Sequence, residues 1–277
     1  MKSRFFQFLK FSIFLATLCL SYGFLIEPRL MKVRFVSVSA PVQAPLKIAL
    51  MSDIHIGGLH MPAKRLDKIV VTINAQNPDI ILIAGDYVNG SEHRKEASPA
   101  DRAEIEAGLT ALGGLSAPLG IYAAIGNHDT HYDAPYLRTK LTTMGVNVLV
   151  NKASRKGGIC IVGLADHDTS QEDPSAFNGC EAKDVIVALM HSPDSFGHLR
   201  SDTDLAVAGH THGGQINLPL LGRAVTATSL GKPYAYGLQR WQGIPVFITA
   251  GLGTSILPAR FRSPPEIVII ELAAEPV

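Results

Sequence analysis

Strands that are apolar on both faces alternate with amphipathic helices in the first half of the chain. The apolar runs predict strands at residues 47–51, 79–84 and 120–125. Helical spacing and end signals predict helices at residues 62–74, 98–112 and 135–144. The second helix has a clear start, because Ser98 can cap it, Pro99 suits its first position and Asp101 follows three residues after the cap.

The second half of the chain is richer in strands. Mostly apolar runs predict strands at residues 146–150, 159–164, 185–190, 205–208, 246–250 and 267–272. No internal repeat or low-complexity segment interrupts this pattern. Together with the first half, it predicts an α/β sandwich, in which two β-sheets pack together with helices outside and functional loops at the strand ends.

The first 30 residues differ in character from the rest of the chain. Basic residues precede an apolar stretch from Phe11 to Ile26, and the phenylalanines before it extend the stretch towards the roughly 20 residues that a bilayer needs. The residues after Leu20 suit signal-peptide cleavage poorly. We therefore expect an uncleaved signal-anchor in residues 1–30 and one folded domain in residues 31–277. A helix that lies on the membrane surface is the alternative.

Charge and cysteine usage narrow the functional classes. A formal net charge of +1, with 18% charged residues, gives no electrostatic basis for nucleic-acid binding, so none is expected. Cys160 lies in an apolar run and is expected to be a buried, inert thiol. Cys180 is expected in a loop, and the sequence leaves open whether it bonds to Cys160.

Short polar side chains that can bind metal ions follow five of the predicted strands. A single polar residue after a strand is ordinarily a cap or a turn residue. Metal-binding residue types after five separate strands need another explanation. Strand ends in α/β sheets bring such side chains to one edge, where ligands bind. The residues are Asp53, His55, Asp86, Asn127, His128, Asp129, His191, His210 and His212.

The last of these positions form a His-x-His pair flanked by glycines. In an extended segment, residues two apart point the same way and lie roughly 6.5 Å apart. We therefore expect the imidazoles of His210 and His212 to face one polar centre. Gly209 and Gly213 allow the backbone to turn sharply and to approach a ligand closely.

As a set, these residues resemble the calcineurin-like metallophosphoesterase superfamily. Its blocks D-x-H, G-D, G-N-H-D, a lone histidine and G-H-x-H match residues 53–55, 85–86, 126–129, 191 and 209–212. The tail around residues 251–266 resembles a narrower bacterial branch, the membrane-associated phosphoesterases of the YaeI and YkuE type. The resemblance implies a sandwich of two mixed β-sheets flanked by helices and a metal-dependent phosphoric ester hydrolase.

Two metal ions that share one carboxylate are implied by this resemblance. One ion would be held by Asp53, His55, Asp86 and His212, and the other by Asp86, Asn127, His191 and His210. Nitrogen and oxygen ligands without a thiolate suit Mn, Zn or Fe rather than Ca. Two divalent ions bring about four positive charges, whereas two carboxylates and a bridging hydroxide return about three. The site is therefore expected to attract a phosphate anion.

The bridging water or hydroxide is the implied nucleophile. His128 is not assigned to a metal and is expected to stabilise the transition state or to protonate the leaving oxygen, while Asp129 is expected to orient its imidazole. Arg260 and Arg262 could contact substrate phosphate, because guanidinium groups suit it, but the prolines around them favour a rigid turn that only packs. The loop at residues 166–168 is expected to be hydrogen-bonded and not to bind metal.

The expected function is hydrolysis of a phosphodiester or pyrophosphate bond in a lipid-linked or cell-envelope substrate. A phosphomonoesterase of the same fold is one alternative, and a non-catalytic metal-binding scaffold is the alternative from another class. The expected location is the bacterial inner membrane, with the domain outside the cytoplasm. Basic residues on both sides of the apolar stretch leave the cytoplasmic face as an alternative. The oligomeric state is left open.

Overall fold

Two six-stranded β-sheets form the body of the protein in the computed structural model, which describes residues 2–274. The first sheet contains β1 (Lys32–Ser39), β2 (Leu46–Met51), β3 (Ile80–Ala84), β4 (Ile121–Ala124), β5 (Asn147–Val148) and β14 (Glu266–Ala273). The second contains β6 (Lys152–Lys156), β7 (Ile159–Gly163), β8 (Val185–Leu189), β9 (Leu205–Ala208), β12 (Gly237–Trp241) and β13 (Ile244–Ile248). A separate hairpin joins β10 (Asn217–Leu218) to β11 (Gly222–Arg223).

Both sheets are mixed. The first has the strand order β1-β14-β2-β3-β4-β5, in which β2 to β5 run parallel and β14 runs antiparallel to β2. The second has the order β12-β13-β9-β8-β7-β6, in which the four inner strands run parallel and both edge strands run antiparallel to their neighbours. The expected sandwich of two mixed sheets flanked by helices is therefore confirmed.

The inner strands are apolar on both faces, because each face of their sheet is covered. In β3, Ile80 and Leu82 belong to the core between the sheets, whereas Ile81 and Ile83 belong to the core under the helices. The helices are α1 (Lys2–Ser21), α2 (Ala63–Asn74), α3 (Pro99–Leu112) and α4 (Asn127–Thr143). Helices α2 to α4 contribute to the core on the first sheet, while short 3₁₀ turns and loops cover the second.

Most predicted elements lie within two residues of their observed bounds. Ser98 caps α3 as expected, since its Oγ accepts the backbone N–H of Asp101 at 3.1 Å. Segment α4 consists of two helical stretches joined at Asp133, whose backbone is extended (φ 177°). The second stretch begins near Pro135, as predicted and as suits a proline, whereas the first stretch, which begins at Asn127, was not predicted. The edge strands β1, β6 and β12 are partly exposed and were not predicted.

Helix α1 is long and apolar enough to cross a membrane. Its 20 residues span about 30 Å at 1.5 Å per residue, close to the thickness of a hydrocarbon core. Within the segment from Arg4 to Arg29, an 18-residue window has a mean hydropathy of 1.8, and 6% of that window is buried. The length and the apolar composition of α1 are the basis for proposing a membrane span, and signal sequences are also apolar helices of similar length.

The chain that follows α1 packs on the folded domain. Glu27 is buried, and its carboxylate accepts the backbone N–H groups of Arg262 at 2.8 Å and Ser263 at 2.6 Å. The carbonyl of Gly23 accepts the backbone N–H of Arg260 at 2.9 Å. The packed part of the chain therefore begins several residues before the boundary placed at residue 31.

Cys160 and Cys180 form a disulfide bond, with their Cα atoms 5.7 Å apart. The expectation of an inert thiol at Cys160 is therefore wrong. The apolar run around Cys160 predicts its burial but not the path of the later loop. That loop returns over the second sheet, where Phe177 packs in the same core as Cys160 and brings Cys180 within bonding distance.

Candidate metal centre

All the metal ligands expected from the sequence meet at the edge of the sheets where the parallel strands end. From the first sheet, Asp53 and His55 follow β2, Asp86 follows β3 and Asn127 follows β4; from the second sheet, His191 follows β8, and His210 and His212 follow β9. Most of them are buried, and Asn127 and His210 are partly exposed. The parallel strands of both sheets therefore aim their ends at one place, as expected for this class of fold.

Asp53, His55 and His212 form one group. Their ligand atoms all lie within 4.8 Å of one another. The Nε2 atoms of His55 and His212 are 3.1 Å apart, and His212 Nε2 lies 3.6 Å from Asp53 Oδ1. The two imidazole rings are stacked with centroids 4.9 Å apart, so both Nε2 atoms point into the same space.

Asp86 joins this group to a second one. Its Oδ2 atom lies 3.7 Å from His55 Nε2 and 3.3 Å from His191 Nε2. His191 Nε2 in turn lies 3.0 Å from Asn127 Oδ1 and 3.2 Å from His210 Nδ1. The histidines at 210 and 212 therefore lie in different groups, although they are only two residues apart.

These separations suit side chains that share a cation. Donor atoms about 2.0–2.2 Å from one ion lie roughly 3 Å or a little more from each other. The facing Nε2 atoms of His55 and His212 need a proton or a cation between them. Their Nδ1 atoms are buried without a hydrogen-bond partner. Oxygen and imidazole donors without a thiolate are the ligands that Mn, Fe and Zn accept.

The protein environment keeps most of these histidines neutral. Burial lowers the pKa of His55 to about 3 and that of His210 to about 4. Burial and the neighbouring His55 hold the pKa of His212 well below its usual value. A neutral imidazole offers a lone pair to a metal. Burial raises the pKa of Asp53 to about 6, which still leaves the carboxylate ionised at neutral pH.

His191 has a fixed tautomer and a strong carboxylate neighbour. Its Nδ1–H donates to the carbonyl of Ala84 at 2.7 Å, so Nε2 faces Asp86. Burial by itself would lower the pKa of His191. The Asp86 carboxylate has the opposite effect and helps to hold this pKa well above the usual value. A cation held by His191 and Asp86 would replace the Nε2 proton, so its binding would be coupled to proton release.

Most of the ligand residues have a left-handed backbone. The positive φ angles are those of Asp53 (50°), His55 (53°), Asp86 (55°), His210 (66°) and His212 (52°). Asp and His tolerate this conformation better than most residues, but it still costs about 1–3 kcal/mol each. The extended segment expected for residues 210–212 is therefore wrong. The chain turns at each histidine, which sends the two imidazoles to different groups.

Gly209 and Gly126 let the backbone approach the carboxylate ligands. A Cβ atom on Gly209 would lie 1.9 Å from Ser52 Oγ and 2.5 Å from Asp53 Oδ2, and one on Gly126 would lie 2.3 Å from Asp86 Oδ1. The space saved at Gly209 allows the backbone N–H of His210 to donate to both Asp53 oxygens, at 3.0 and 3.1 Å.

His128 lies beside the proposed ligands, and a hydrogen bond to a backbone carbonyl fixes the orientation of its ring. Its Nδ1–H donates to the carbonyl of Asn89 at 2.5 Å, which leaves Nε2 towards the cleft and 3.3 Å from Ser255 Oγ. The ring packs edge-on against that of His55, with centroids 4.7 Å apart. The backbone N–H of His128, in the first turn of α4, donates to Asp86 Oδ1 at 3.0 Å.

The prediction that Asp129 orients the His128 imidazole is wrong. The carboxylate of Asp129 is buried and accepts three close backbone N–H groups, from Asp86 at 2.8 Å, Tyr87 at 2.7 Å and Gly126 at 2.9 Å. Asp129 therefore fixes the backbone turn that presents Asp86. A backbone carbonyl, that of Asn89, takes over the orienting role expected of Asp129.

Arg260 and Arg262 lie in a turn beside the site and have different environments. Arg260 is fully buried, and its guanidinium donates to the carbonyls of Gly253, Ala250 and Ser263 at 2.6–2.9 Å. With its donors bound to the backbone, Arg260 supports the loop and does not contact substrate, which corrects one of the two expectations. Arg262 is exposed, so its proposed contact with phosphate stays a prediction.

Sequence reasoning missed two side chains at the edge of the site. Ser255 contacts His128 Nε2, and Asp168 Oδ2 lies 3.5 Å from His210 Nε2. The expectation for residues 166–168 is thus incomplete, because Asp166 bonds to Thr169 at 2.7 Å while Asp168 turns towards a ligand. Ser255 has no motif of its own and reaches His128 across 127 residues of sequence.

The fold and the ligand set define a metallophosphoesterase. The chain belongs to the calcineurin-like phosphoesterases, since residues 46–214 match that family. It is 31% identical to a transmembrane protein with metallophosphoesterase domain from Danio rerio, over 82% of this chain and 53% of that protein. It is 29% identical to the uncharacterized metallophosphoesterase YkuE of Bacillus subtilis, over 82% of this chain and 78% of the relative.

A further relative is the phosphodiesterase YaeI of Escherichia coli, which is 28% identical over 83% of each chain. The expected resemblance to the YaeI and YkuE type is therefore confirmed. The chain spans only about half the length of the Danio rerio relative.

Replacing Gly209 by Ala is expected to weaken metal binding about 10- to 100-fold, because the new methyl group must displace Ser52 and the Asp53 carboxylate. Metal titration of the purified protein, followed by calorimetry, measures the change. Gly197→Ala is the matched control, since a Cβ there meets nothing within 4 Å. Equal metal affinity in both variants would contradict the close-approach argument.

Proposed function

We propose that the protein is a binuclear-metal hydrolase of phosphodiester or pyrophosphate bonds. The observation that supports this most directly is the position of Asp86, whose carboxylate lies between His55 and His191 and so joins two ligand groups. In this assignment the first ion would be held by Asp53, His55, Asp86 and His212, and the second by Asp86, Asn127, His191 and His210. The phosphodiesterase name of the YaeI relative favours a diester over a monoester.

Divalent ions in such a site supply an activated water as nucleophile and neutralise charge on the phosphoryl group. The protein contributes orientation and proton transfer. The Asn89 carbonyl holds Nδ1–H of His128, so Nε2 is the atom that faces the leaving oxygen and can donate a proton to it. The positive end of α4 stabilises the negative charge that Asp86 and the substrate bring to the site.

The proposed substrate is a phosphate ester that is lipid-linked or part of the cell envelope. Helix α1 supports membrane attachment, and the Danio rerio relative is named a transmembrane protein. The cleft over the ligands has a volume of about 360 Å³ and is lined partly by apolar side chains, including Ile216 and Val225. Such a lining suits a substrate that carries an apolar part next to its phosphate.

The proposed location is the bacterial inner membrane with the folded domain outside the cytoplasm. The disulfide between Cys160 and Cys180 supports this orientation, because disulfides persist in oxidising compartments and are rare in the cytoplasm. The basic residues Lys2 and Arg4 before the apolar stretch also favour a cytoplasmic N-terminus.

A substrate panel tests the proposed activity. The full-length protein, reconstituted separately with Mn, Zn and Fe, is expected to bind two ions per chain and to hydrolyse bis-p-nitrophenyl phosphate faster than p-nitrophenyl phosphate. Elemental analysis gives the number of ions per chain, and the absorbance of released p-nitrophenol gives the two hydrolysis rates. A faster monoester reaction would replace the diesterase by a phosphomonoesterase. Metal binding without hydrolysis of these esters or of a lipid pyrophosphate would favour a scaffold.

The role of His128 is tested by replacing it with Ala. Turnover is expected to fall about 10²- to 10⁴-fold while both metals stay bound, because His128 belongs to neither proposed ligand set. The exposed His131→Ala, one turn further along α4, is the matched control and should keep normal turnover. Loss of metal with unchanged activity per bound metal would show that His128 is a ligand.

The orientation is tested by fusing alkaline phosphatase, which is active only after export, to the C-terminus. High phosphatase activity in intact bacterial cells is expected, and a cytoplasmic reporter in the same place should be inactive. The opposite pattern would place the domain at the cytoplasmic face and would leave the metal chemistry untouched.

A further inference from the structure

Large apolar side chains stand exposed around the open side of the metal cleft. Leu220 and Leu221 form the tip of the β10–β11 hairpin, and Leu220 is fully exposed. Val225, Ile256 and Leu257 line the cleft and are also exposed, Ile256 completely. We call these five residues the apolar rim. Soluble surfaces carry single exposed apolar residues routinely, but a group of this kind beside a ligand site indicates an interaction surface.

Hydrogen bonds join the two segments of the apolar rim into one unit. The Gln215 side chain donates to the Leu257 carbonyl at 2.7 Å and accepts the Ser255 backbone N–H at 3.0 Å. Phe261 then pairs with the strand that leads to the hairpin, since its N–H donates to the Gln215 carbonyl at 3.0 Å and its carbonyl accepts the Asn217 N–H at 2.8 Å.

The same unit contacts the end of the membrane-spanning candidate helix. Tyr22 directly follows α1, and its ring packs edge-on against that of Phe261, with centroids 6.2 Å apart. The carbonyl of Gly23 accepts the backbone N–H of Arg260 at 2.9 Å. Leu220 lies three residues beyond Asn217, which is about 10 Å of extended chain. The end of α1 therefore places the apolar rim close to wherever the helix leaves the membrane.

The chemistry around this junction suits a lipid surface. Tyr22 begins the π-helical turn, Tyr22–Ile26, that continues α1, and it lies within about one turn of the helix end, a region that tyrosines prefer at membrane interfaces. Leu25 and Leu30 continue the exposed apolar surface past α1. Arg29, between Leu25 and Leu30 in the chain, and Arg262, which follows Phe261, are exposed. Their guanidinium groups can pair with anionic lipid headgroups.

We propose that the apolar rim docks into the same face of the bilayer from which α1 emerges, so that the metal cleft opens at the lipid–water interface. The proposal rests on the membrane attachment contained in the proposed function. It specifies the partner of the rim as lipid. The hairpin tip would enter the headgroup region, and the apolar side of the cleft would continue into the acyl chains. A phosphate ester on a lipid could then reach the ligands without leaving the bilayer.

Depth-dependent fluorescence quenching tests the proposal on the full chain in nanodiscs of phosphatidylethanolamine and phosphatidylglycerol. An NBD label is attached to a single free cysteine, which is the native Cys19 in one sample. In a Cys19→Ser background, the label is placed by Leu220→Cys, by Leu221→Cys or by Val71→Cys. Val71 is the control, because it is as exposed as Val225 but lies on the outer face of α2. The disulfide of Cys160 and Cys180 leaves no other free thiol.

The labels at Leu220 and Leu221 are expected to emit at shorter wavelength in nanodiscs and to lose fluorescence when lipids carry a shallow nitroxide. The label at Val71 should do neither. Quenching at Cys19 without quenching at Leu220 or Leu221 would overturn the docking of the rim and would leave the membrane anchor in place. An unquenched label at Cys19 would remove the anchor and the docking together, while the metal chemistry would still be judged by the substrate panel.

Discussion

The Asp86 carboxylate is the point on which the rest of the site depends. One of its oxygens faces His55 and His191, and the other accepts the backbone N–H of His128. Its own backbone N–H is held by Asp129, which also holds the N–H of Gly126. A shift of this one residue would therefore change both ligand groups and the start of α4. A buried carboxylate in this position is tolerable because cationic or hydrogen-bonding partners surround it.

The sandwich provides the rigidity that such an arrangement needs. Left-handed backbone at most of the ligands is unfavourable by itself and persists only where the surroundings determine it. Here the ligands are attached to the ends of fully buried strands, such as β3 and β9, whose side chains pack on both faces. The close approach at Gly209 and Gly126 leaves little space for other conformations. The fold thus stores strain at the site and stabilises it through the core.

The turn at residues 253–263 connects the site to the N-terminal segment. Arg260 binds carbonyls on both sides of this turn, and the backbone N–H of Gly253 donates to the carbonyl of Asp53 at 2.6 Å. Glu27 then binds the far end of the turn from the N-terminal side. Burial lowers the pKa of Arg260 to about 10, so the guanidinium stays charged at neutral pH. The proposed metal ligands and the chain that leaves α1 are therefore supported by the same turn.

The sequence by itself determined the elements and the chemistry. Apolar runs located the inner strands because these strands are buried on both faces. Residue type at their ends indicated nine candidate positions, and the family resemblance implied which of them are the proposed metal ligands. Local pattern could not determine what depends on distant partners. The family resemblance already implied different partners for His210 and His212, but only the tertiary structure revealed the left-handed turns that separate them. It also assigned Asp129 to the backbone and Asn89 to His128, buried Arg260 and paired Cys160 with Cys180. Most of these outcomes depend on contacts between segments far apart in the chain, and hydrophobic periodicity encodes none of them.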